Sequence, residues 1–392
     1  MDNSDSSRLS VILSGPYLSH SGFSKTNREL AFRLTRMGVN VKTDVSPSNV
    51  DVDSRTEAAV RRLSEIGVPE GTPVVYSMTM PPIISGSGPK VLFTMMESSG
   101  SLHKEYSEKM DLATEIWVPT SHMVDLLAKC NVHTPVKIVP LGVDDNVFGP
   151  KSGKMALPNG VKGFKFLSVS WWGPRKGFDV LIKAFVGEFS GAEDVCLIIS
   201  SRDHGKKTSA EISAEIRKIA ESVGNDDRPQ IMHFGKATSE SELASLYNAC
   251  NVFVLASRGE GFSLPIVEAA SCGLPVITTN CTAQATYLDD SNSYLLDPEG
   301  YEVADPRGGN ASSVGKWCRF YEGQKFPTFG KTSISRLGNM MRSTFEDRIT
   351  AKRKADALRD KVRNTMTWDD AARSFIGRLS ELVERTKRGG KR

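Results

Sequence analysis

One stretch of the sequence decides the fold: Val252-Phe-Val-Leu-Ala-Ser-Arg-Gly-Glu-Gly-Phe-Ser-Leu-Pro-Ile-Val-Glu-Ala-Ala-Ser-Cys-Gly-Leu-Pro-Val-Ile-Thr-Thr279. The apolar run that opens it has the length of a buried parallel strand. A glycine-containing loop follows, and then a short helix with Ser263 as its predicted N-cap, Pro265 in its first turn and Gly273 just past its end. The apolar residues after Gly273 predict a second strand. A strand, a polar loop, a helix and a strand in this order bind anions at the carboxyl edge of a parallel sheet.

Two glutamates serve that edge, Glu260 in the loop and Glu268 on the helix. Carboxylates accept hydrogen bonds from hydroxyl groups, so one of them can hold a sugar and the other a ribose. The stretch resembles the Glu-x7-Glu motif of retaining glycosyltransferases with two Rossmann-like domains, those of family 4 above all. The resemblance implies that Glu260 holds the hydroxyls of a donor sugar and that Glu268 holds the ribose of its nucleotide. It also implies that the sugar or diphosphate meets the backbone amides of Gly261, Phe262, Ser263 and Leu264.

Two cations, Arg175 and Lys176, follow another predicted strand in Ser168-Val-Ser-Trp-Trp-Gly-Pro-Arg-Lys-Gly177. When a nucleoside diphosphate leaves an anomeric carbon, negative charge remains on phosphate, and fixed cations or backbone amides must stabilise it. The segment resembles the second marker of the same family, in which an arginine several residues before Lys-Gly and the lysine itself contact the diphosphate. Lys176 matches that lysine. Trp171 stands at the usual place of the arginine, so the second cation is either missing or supplied by Arg175.

The first half of the chain holds further candidates. Gly15 and Gly22 border a loop after the first predicted strand, where glycine lets the backbone approach a bound group. The resemblance places this loop near the donor phosphate and the acceptor. The family often carries a histidine after a strand of this domain, near the donor sugar. The corresponding stretch, Phe93 to Glu97, has none, so Glu97 is one candidate for that role. His122, after the next predicted strand, is a second candidate, on the acceptor side.

The order of predicted elements indicates two domains of ordinary size in 392 residues. A strand at Leu9–Leu13 and a helix with Ser24 as its predicted N-cap open one βαβ series, and a second series begins at Phe164. The resulting fold class is α/β, with two Rossmann-like domains and a cleft between them, and the resemblance implies that this fold is GT-B-like. We predict a Rossmann-like acceptor-side domain over 1–150, a Rossmann-like donor domain over 151–364 with an insertion or lid at 301–328, and a terminal helix with a basic tail over 365–392 that crosses back to the first domain.

Composition limits the partners and the compartment. A net charge of +4 is too small over this length to indicate a nucleic-acid partner. Six cysteines without metal-ligand spacing or an evident disulfide framework favour a reducing compartment. Neither a secretory segment nor a stretch of transmembrane length is evident, so we predict a cytoplasmic protein. Peripheral membrane contact occurs among relatives, but no helix here joins a strong apolar face to a dense basic one.

The sequence predicts a metal-independent reaction. Asp51-Val-Asp53 has the letters of a metal-binding Asp-x-Asp motif, but its polar surroundings indicate a solvated loop. The resemblance implies a retaining glycosyltransferase that takes a nucleotide-diphosphate sugar as co-substrate and needs no further cofactor. The acceptor stays open among a glycan, a lipid-linked sugar, a protein and a small molecule. Two other functions also stay open: a catalytically weak nucleotide-sugar-binding protein, and a nucleotide-sugar epimerase of the same fold.

Overall fold

Two parallel sheets carry the architecture of the computed structural model, which describes residues 8–47, 50–79, 87–203, 207–235, 239–305 and 319–389. The strands are β1 (Ser10–Gly15), β2 (Asn40–Val45), β3 (Val74–Ser77), β4 (Lys90–Phe93), β5 (Glu115–Val118), β6 (Val136–Ile138), β7 (Phe164–Trp171), β8 (Val195–Arg202), β9 (Gln230–Phe234), β10 (Val252–Leu255), β11 (Val276–Thr279), β12 (Tyr294–Leu296), β13 (Gly300–Val303) and β14 (Lys325–Thr328). The α-helices are α1 (Gly22–Arg36), α2 (Ser54–Ser64), α3 (Lys104–Met110), α4 (Ser121–Lys129), α5 (Phe178–Glu188), α6 (Ser209–Glu221), α7 (Glu240–Asn248), α8 (Leu264–Ser271), α9 (Lys331–Glu346), α10 (Arg348–Thr365) and α11 (Trp368–Gly389). Among the helices that the structure describes, none combines the length and apolar character needed to cross a membrane.

The first unit contains residues 1–96, 104–142 and 366–392. Its six strands are all parallel, in the order β2-β1-β3-β4-β5-β6. Helix α11 belongs to this unit because its apolar side chains are buried within it. Phe375 of α11 packs edge-on against Trp117 of β5, with 4.9 Å between the ring centroids. Arg33 of α1 pairs with Asp369 of α11 at 2.9 Å.

The second unit contains residues 97–103 and 143–365. Its six-stranded sheet is also parallel, in the order β12-β11-β10-β7-β8-β9. The chain enters this sheet at its centre with β7, moves outward to β9, and returns to the other side at β10. The strand order therefore reverses between β7 and β10, and open parallel sheets bind ligands outside the carboxyl ends of their strands at such a point. The predicted α/β class with two Rossmann-like sheets is confirmed.

Several local predictions can be compared with the structure. Helix α8 carries Pro265 in its first turn, and Gly273 follows its end with a φ of 84°, both as predicted. The N-cap predicted for α1 is wrong. The side chain of Ser21, and not that of Ser24, accepts the hydrogen bond, which comes from the Ser24 amide. Asp53, from the stretch interpreted as a solvated loop, is exposed and caps α2 by accepting a hydrogen bond from the Thr56 amide.

The predicted insertion at 301–328 is described only in part, because residues 306–318 lie outside the described part of the chain. On either side of that gap, β13 and β14 form an antiparallel pair. A 3-10 turn at Arg319–Tyr321 leads into β14. This segment is therefore not without regular structure, and its turn brings an aromatic side chain to the site described below.

Candidate active site

The candidate site lies at the carboxyl ends of β7 and β10, where the strand order of the second sheet reverses. Lys176 ends a 3-10 turn that follows β7, and Glu260 lies in the loop after β10. The Nζ of Lys176 donates a hydrogen bond to the Oε1 of Glu260 at 2.5 Å. Both residues are more than nine-tenths buried. The two loops that the sequence singled out, 84 positions apart, therefore meet at one ion pair.

Arg175 joins this pair to a second carboxylate. Its Nη2 lies 3.3 Å from the Oε1 of Glu97, and its Nη1 lies 3.6 Å from the Oε1 of Glu260. The same guanidinium donates a hydrogen bond to the backbone carbonyl of Gly259. We call these four charged residues the charge cluster: Glu97, Arg175, Lys176 and Glu260. Two cations and two carboxylates can exchange partners with a bound molecule that carries phosphate groups and hydroxyls.

Burial and the neighbouring charges shift the pKa values within the charge cluster. Burial raises the pKa of Glu97 above its ordinary value, against the effect of Arg175. For Glu260, burial acts in the same direction, but the charges of Lys176 and Arg175 outweigh it and hold the pKa below its ordinary value. Burial and the neighbouring Arg175 lower the pKa of Lys176. Glu260 is therefore the anionic acceptor at neutral pH, and Glu97 is the carboxyl group that titrates closer to neutrality.

Two glycines allow the loops of the site to approach so closely. Gly177 has a φ of 63°, and a Cβ added there would lie 1.8 Å from the carbonyl oxygen of Ala256. A Cβ added to Gly259 would lie 2.1 Å from the carbonyl oxygen of Glu97. Real side chains do not reach such distances, so the backbone would have to move. The charge cluster thus depends on contacts that these two positions permit.

Replacing Gly259 by alanine is expected to lower the free energy of unfolding by about 2 kcal/mol, because the added methyl group overpacks the contact with Glu97. Urea unfolding monitored by circular dichroism measures this loss. Gly187 of α5 provides the matched control, since a Cβ added there meets nothing within 4 Å. Gly187→Ala is expected to stabilise the protein by up to about 1 kcal/mol, as alanine does within helices. A Gly259→Ala variant as stable as the wild type would contradict the close approach.

Glu268 and the first turn of α8 complete the predicted donor residues. Glu268 is buried and accepts a hydrogen bond from the Tyr247 hydroxyl at 3.2 Å. Burial, together with Glu268, raises the pKa of that hydroxyl well above its ordinary value, so Tyr247 remains a donor. The carbonyl oxygen of Phe262 accepts a hydrogen bond from the Tyr287 hydroxyl at 2.6 Å, which fixes the loop directly before the helix. Gly261, at the start of this loop, and Leu264, the first residue of α8, flank the same turn.

Ser263 stands at the N-cap position of α8, but its side chain does not cap the helix, so this part of the prediction is wrong. Its φ of 76° is unusual for a residue with a Cβ. Its hydroxyl is buried and has no hydrogen-bond partner among the described residues. A strained backbone and an unsatisfied hydroxyl occur together at ligand-binding turns more often than elsewhere.

The remaining predicted residues lie in the first unit. Gly15 ends β1, and a Cβ added there would lie 2.5 Å from the carbonyl oxygen of Ser77. Gly22 is the first residue of α1 and has open space where a Cβ would stand. His122 lies in the first turn of α4. Glu97 lies in the charge cluster, which belongs to the second unit, and His122 belongs to the first unit.

Sequence reasoning missed several residues that support the charge cluster. Arg258 forms a bidentate ion pair with Asp179, at 3.0 and 2.9 Å, and its backbone amide donates to the Arg175 carbonyl at 2.6 Å. The Glu260 amide donates to the Thr282 hydroxyl at 3.0 Å. Arg258 and Asp179 lie within three positions of predicted residues, and Thr282 does not. These pairings span 79 and 22 positions, and neither leaves a signal in the sequence.

Trp171, which stands where the resemblance expects an arginine, contacts an arginine of the neighbouring strand. Trp171 ends β7 beside Arg202 of β8, and the Cζ of Arg202 lies 4.6 Å from the centre of the Trp171 ring. A cation is thus present at the end of the neighbouring strand, although it stands against an aromatic face. Arg175 is the arginine that enters the charge cluster.

Part of the chain is similar in sequence to known glycosyl transferases. Residues 163–305 match the family model described as "Glycosyl transferases group 1". The MMP alpha-(1->4)-mannosyltransferase of Mycolicibacterium hassiacum is 32% identical over 146 residues, which cover 37% of this chain and 31% of that protein. The mannosylfructose-phosphate synthase of Agrobacterium fabrum is 26% identical over 150 residues, which cover 37% of this chain and 32% of that protein. The matched region therefore spans about a third of the length of these curated relatives.

Solved structures share the fold over nearly the whole chain. The sucrose-phosphate synthase from Thermosynechococcus elongatus has a TM-score of 0.68 at 15% identity, and the match covers 97% of this chain and 100% of that one. HepE of Anabaena, in complex with UDP and glucose, has a TM-score of 0.64 at 13% identity, with 95% and 100% covered. The fold is thus that of a two-domain α/β protein of the GT-B type. Its segment 163–305 matches the model of the group 1 glycosyl transferases, which confirms the resemblance drawn from the sequence.

Proposed function

We propose that the protein is a retaining glycosyltransferase that moves a sugar from a nucleotide-diphosphate sugar to a hydroxyl acceptor. One observation carries the proposal: Lys176 and Arg175 after β7 meet Glu260 after β10 at the point where the strand order reverses. Cations suit a diphosphate, and a carboxylate suits sugar hydroxyls. The relatives named above include a mannosyltransferase, and HepE was solved with UDP and glucose, which supports a nucleotide-sugar donor.

Each residue has a distinct part in this proposal. Lys176 and Arg175 bind the diphosphate, and Glu260 accepts hydrogen bonds from the donor sugar. Glu268, whose carboxylate accepts a hydrogen bond from Tyr247, binds the ribose hydroxyls. We assign the amides of the turn before α8 to the sugar or diphosphate, because the first amides of a helix have no partner within the helix and favour anions.

The chemical step is a substitution that keeps the configuration of the anomeric carbon. The bond between that carbon and the diphosphate oxygen breaks, and its electron pair stays on the oxygen. The acceptor oxygen bonds to the same face of the carbon, and its proton passes to the departing diphosphate. Lys176, which is buried, and Arg175, which is largely buried, stabilise the charge that develops on the leaving group. An enzymic base is not needed in this scheme.

Metal independence is part of the proposal. Two fixed cations can supply the charge stabilisation that a divalent metal ion supplies in other transferases. No cluster of three or more histidine, cysteine, aspartate or glutamate side chains with metal-binding geometry occurs in the described ranges. We expect turnover in excess EDTA to stay within about twofold of the untreated rate.

A cytoplasmic location also belongs to the proposal. The five cysteines in the described part of the chain are free thiols, as in a reducing compartment.

A second candidate is a protein that binds a nucleotide sugar without transferring it. The observation that favours it is Trp171, which stands where the resemblance expects a diphosphate-binding arginine. Such a protein would retain donor affinity and lack turnover with every acceptor. An epimerase of the same fold would convert the donor without any acceptor.

The test is mass-spectrometric turnover of a panel of nucleotide-diphosphate sugars, with and without pooled hydroxyl acceptors. Acceptor-dependent release of the nucleoside diphosphate, lost in Glu260→Gln and kept in the exposed control Glu346→Gln, supports a transferase. Proton NMR of the product then reads its anomeric configuration, and inversion would overturn the retaining mechanism. Donor binding without turnover would favour the binding protein, and donor interconversion without acceptor would identify an epimerase.

A further inference from the structure

Tyr321 of the insertion contacts Arg175 of the charge cluster. The Nε of Arg175 donates a hydrogen bond to the Tyr321 hydroxyl at 3.0 Å, and the guanidinium carbon lies 5.7 Å from the centre of the ring. The two residues are 146 positions apart. Tyr321 also lies outside residues 163–305, the segment that matches the family model. The contact therefore comes from a part of this chain that the family pattern does not cover.

The ring of Tyr321 is fixed from its own side of the contact. Phe326, which has no exposed surface, packs edge-on against it with 5.4 Å between centroids, and Phe320 does so at 4.9 Å. The buried side chain of Gln324 donates to the Phe320 carbonyl at 2.9 Å, and its backbone carbonyl accepts from the Ala304 amide at 2.8 Å. These contacts hold the turn in place, so the tyrosine hydroxyl presents a preorganised partner to Arg175.

Arg175 has competing partners on its other side. Glu97 and Glu260 both attract the guanidinium, at 3.3 and 3.6 Å. A guanidinium drawn fully onto Glu260 would occupy the carboxylate that the sugar hydroxyls need. The Nε atom belongs to the rigid plane of the guanidinium, so a hydrogen bond at Nε sets the direction in which both Nη groups point. The hydrogen bond to the Tyr321 hydroxyl therefore determines which groups the Nη atoms of Arg175 contact.

We propose that Tyr321 is a positioning residue for Arg175. Its hydroxyl orients the guanidinium toward the diphosphate of the donor, so that Arg175 serves as the second phosphate-binding cation in place of the arginine that Trp171 replaces. This inference rests on the proposed function, because it assigns a diphosphate ligand to Arg175.

The test is calorimetric binding of UDP, GDP and ADP, and of the matching nucleosides, to the wild type and three variants: Tyr321→Phe, Arg175→Lys and the double variant. Tyr321→Phe keeps the ring and loses only the hydroxyl. We expect it to weaken binding of the preferred diphosphate about tenfold, or about 1.4 kcal/mol, and to change nucleoside binding by less than about twofold. Lysine lacks the Nε–H group that Tyr321 accepts from. The double variant should therefore bind the diphosphate less than about twofold more weakly than Arg175→Lys does.

Tyr301→Phe is the matched control, since Tyr301 lies on β13 of the same hairpin with half of its surface exposed, and it should bind like the wild type. Equal losses for nucleoside and diphosphate would indicate a structural role and overturn the inference, as would additive losses in the double variant. Unchanged diphosphate binding in Tyr321→Phe would overturn the inference and leave the proposed function intact. A wild type that binds none of the diphosphates would overturn both.

Discussion

Replacing Glu260 by glutamine is expected to lower kcat for sugar transfer by about a hundredfold or more, while the affinity for the nucleoside diphosphate stays the same or rises. The amide keeps the shape of the side chain but removes the charge, and a neutral acceptor binds hydroxyls about half as strongly. Fixed electrostatic groups of this kind typically contribute a factor of about 10² to 10³ to kcat. With Glu260 neutral, the charge cluster has two cations and one carboxylate. Its net positive charge favours binding of the diphosphate.

A variant of Lys176 tests the cation of the same ion pair. Lys176→Met removes a buried cation next to Glu260, so both the diphosphate affinity and kcat are expected to fall. Steady-state kinetics for turnover and calorimetry for diphosphate binding separate the two patterns, and Glu346→Gln serves again as the control. A Glu260→Gln variant that keeps at least a third of the wild-type turnover would rule out the part assigned to Glu260. Diphosphate binding that is unaffected by Lys176→Met would rule out the part assigned to Lys176.

The structure around Glu260 could be predicted because several short-range signals agree there. The apolar run specifies a buried strand, Pro265 fits only the first turn of a helix, and Gly273 supplies the left-handed residue that ends it. Each signal acts within a few residues, so no knowledge of distant contacts is required. Lys176 was placed after a strand from the apolar run of β7 alone, and the 3-10 turn that carries it was not predicted.

Choices between similar neighbours could not be made from the sequence. The N-cap of α1 falls on Ser21 although Ser24 has the same side chain. In the structure the hydroxyls of Ser19, Ser21 and Ser24 bond to one another, so the cap depends on how this group of hydroxyls is arranged. Helix α2 was missed for a different reason. Only Val60 and Leu63 of its residues are buried, which leaves too weak an apolar pattern to predict a helix.

The partners of the charge cluster could not be predicted because they are distant in sequence. Asp179 reaches Arg258 over 79 positions, and Tyr321 reaches Arg175 over 146. A parallel sheet brings loops together at one edge whatever their separation along the chain, and periodicity does not report which side chains meet there. The sequence therefore identified the loops of the site more completely than the contacts between them.

The second large effect is expected in the first unit, where Glu115 of β5 is fully buried. Its carboxylate accepts hydrogen bonds from Trp117 at 3.0 Å, from Arg378 at 3.0 and 2.6 Å and from Arg385 at 2.5 Å. Both arginines belong to α11, so the carboxylate of Glu115 links this helix to the sheet through two ion pairs. Glu115→Gln is expected to lower the free energy of unfolding at pH 7 by about 3 kcal/mol, because the largely buried Arg378 would keep only the exposed Glu381 as a counter-charge.

The pH dependence of this loss identifies its cause. Burial raises the pKa of Glu115, but the hydrogen bonds from Arg378 and Trp117 outweigh burial and hold it below its ordinary value of 4.5. A carboxyl group with a lowered pKa in the folded state stabilises the protein above its ordinary pKa, and that stabilisation disappears as the pH falls through the folded value. The difference between wild type and Glu115→Gln should therefore be constant from about pH 8 to 6 and narrow below about pH 4.5, as urea unfolding at a series of pH values would show. Glu105→Gln, which breaks an exposed pair with Lys109, should change stability by less than about 0.5 kcal/mol at every pH. A difference that persists undiminished in acid would mean that packing around the side chain, and not its charge, holds α11 on the sheet.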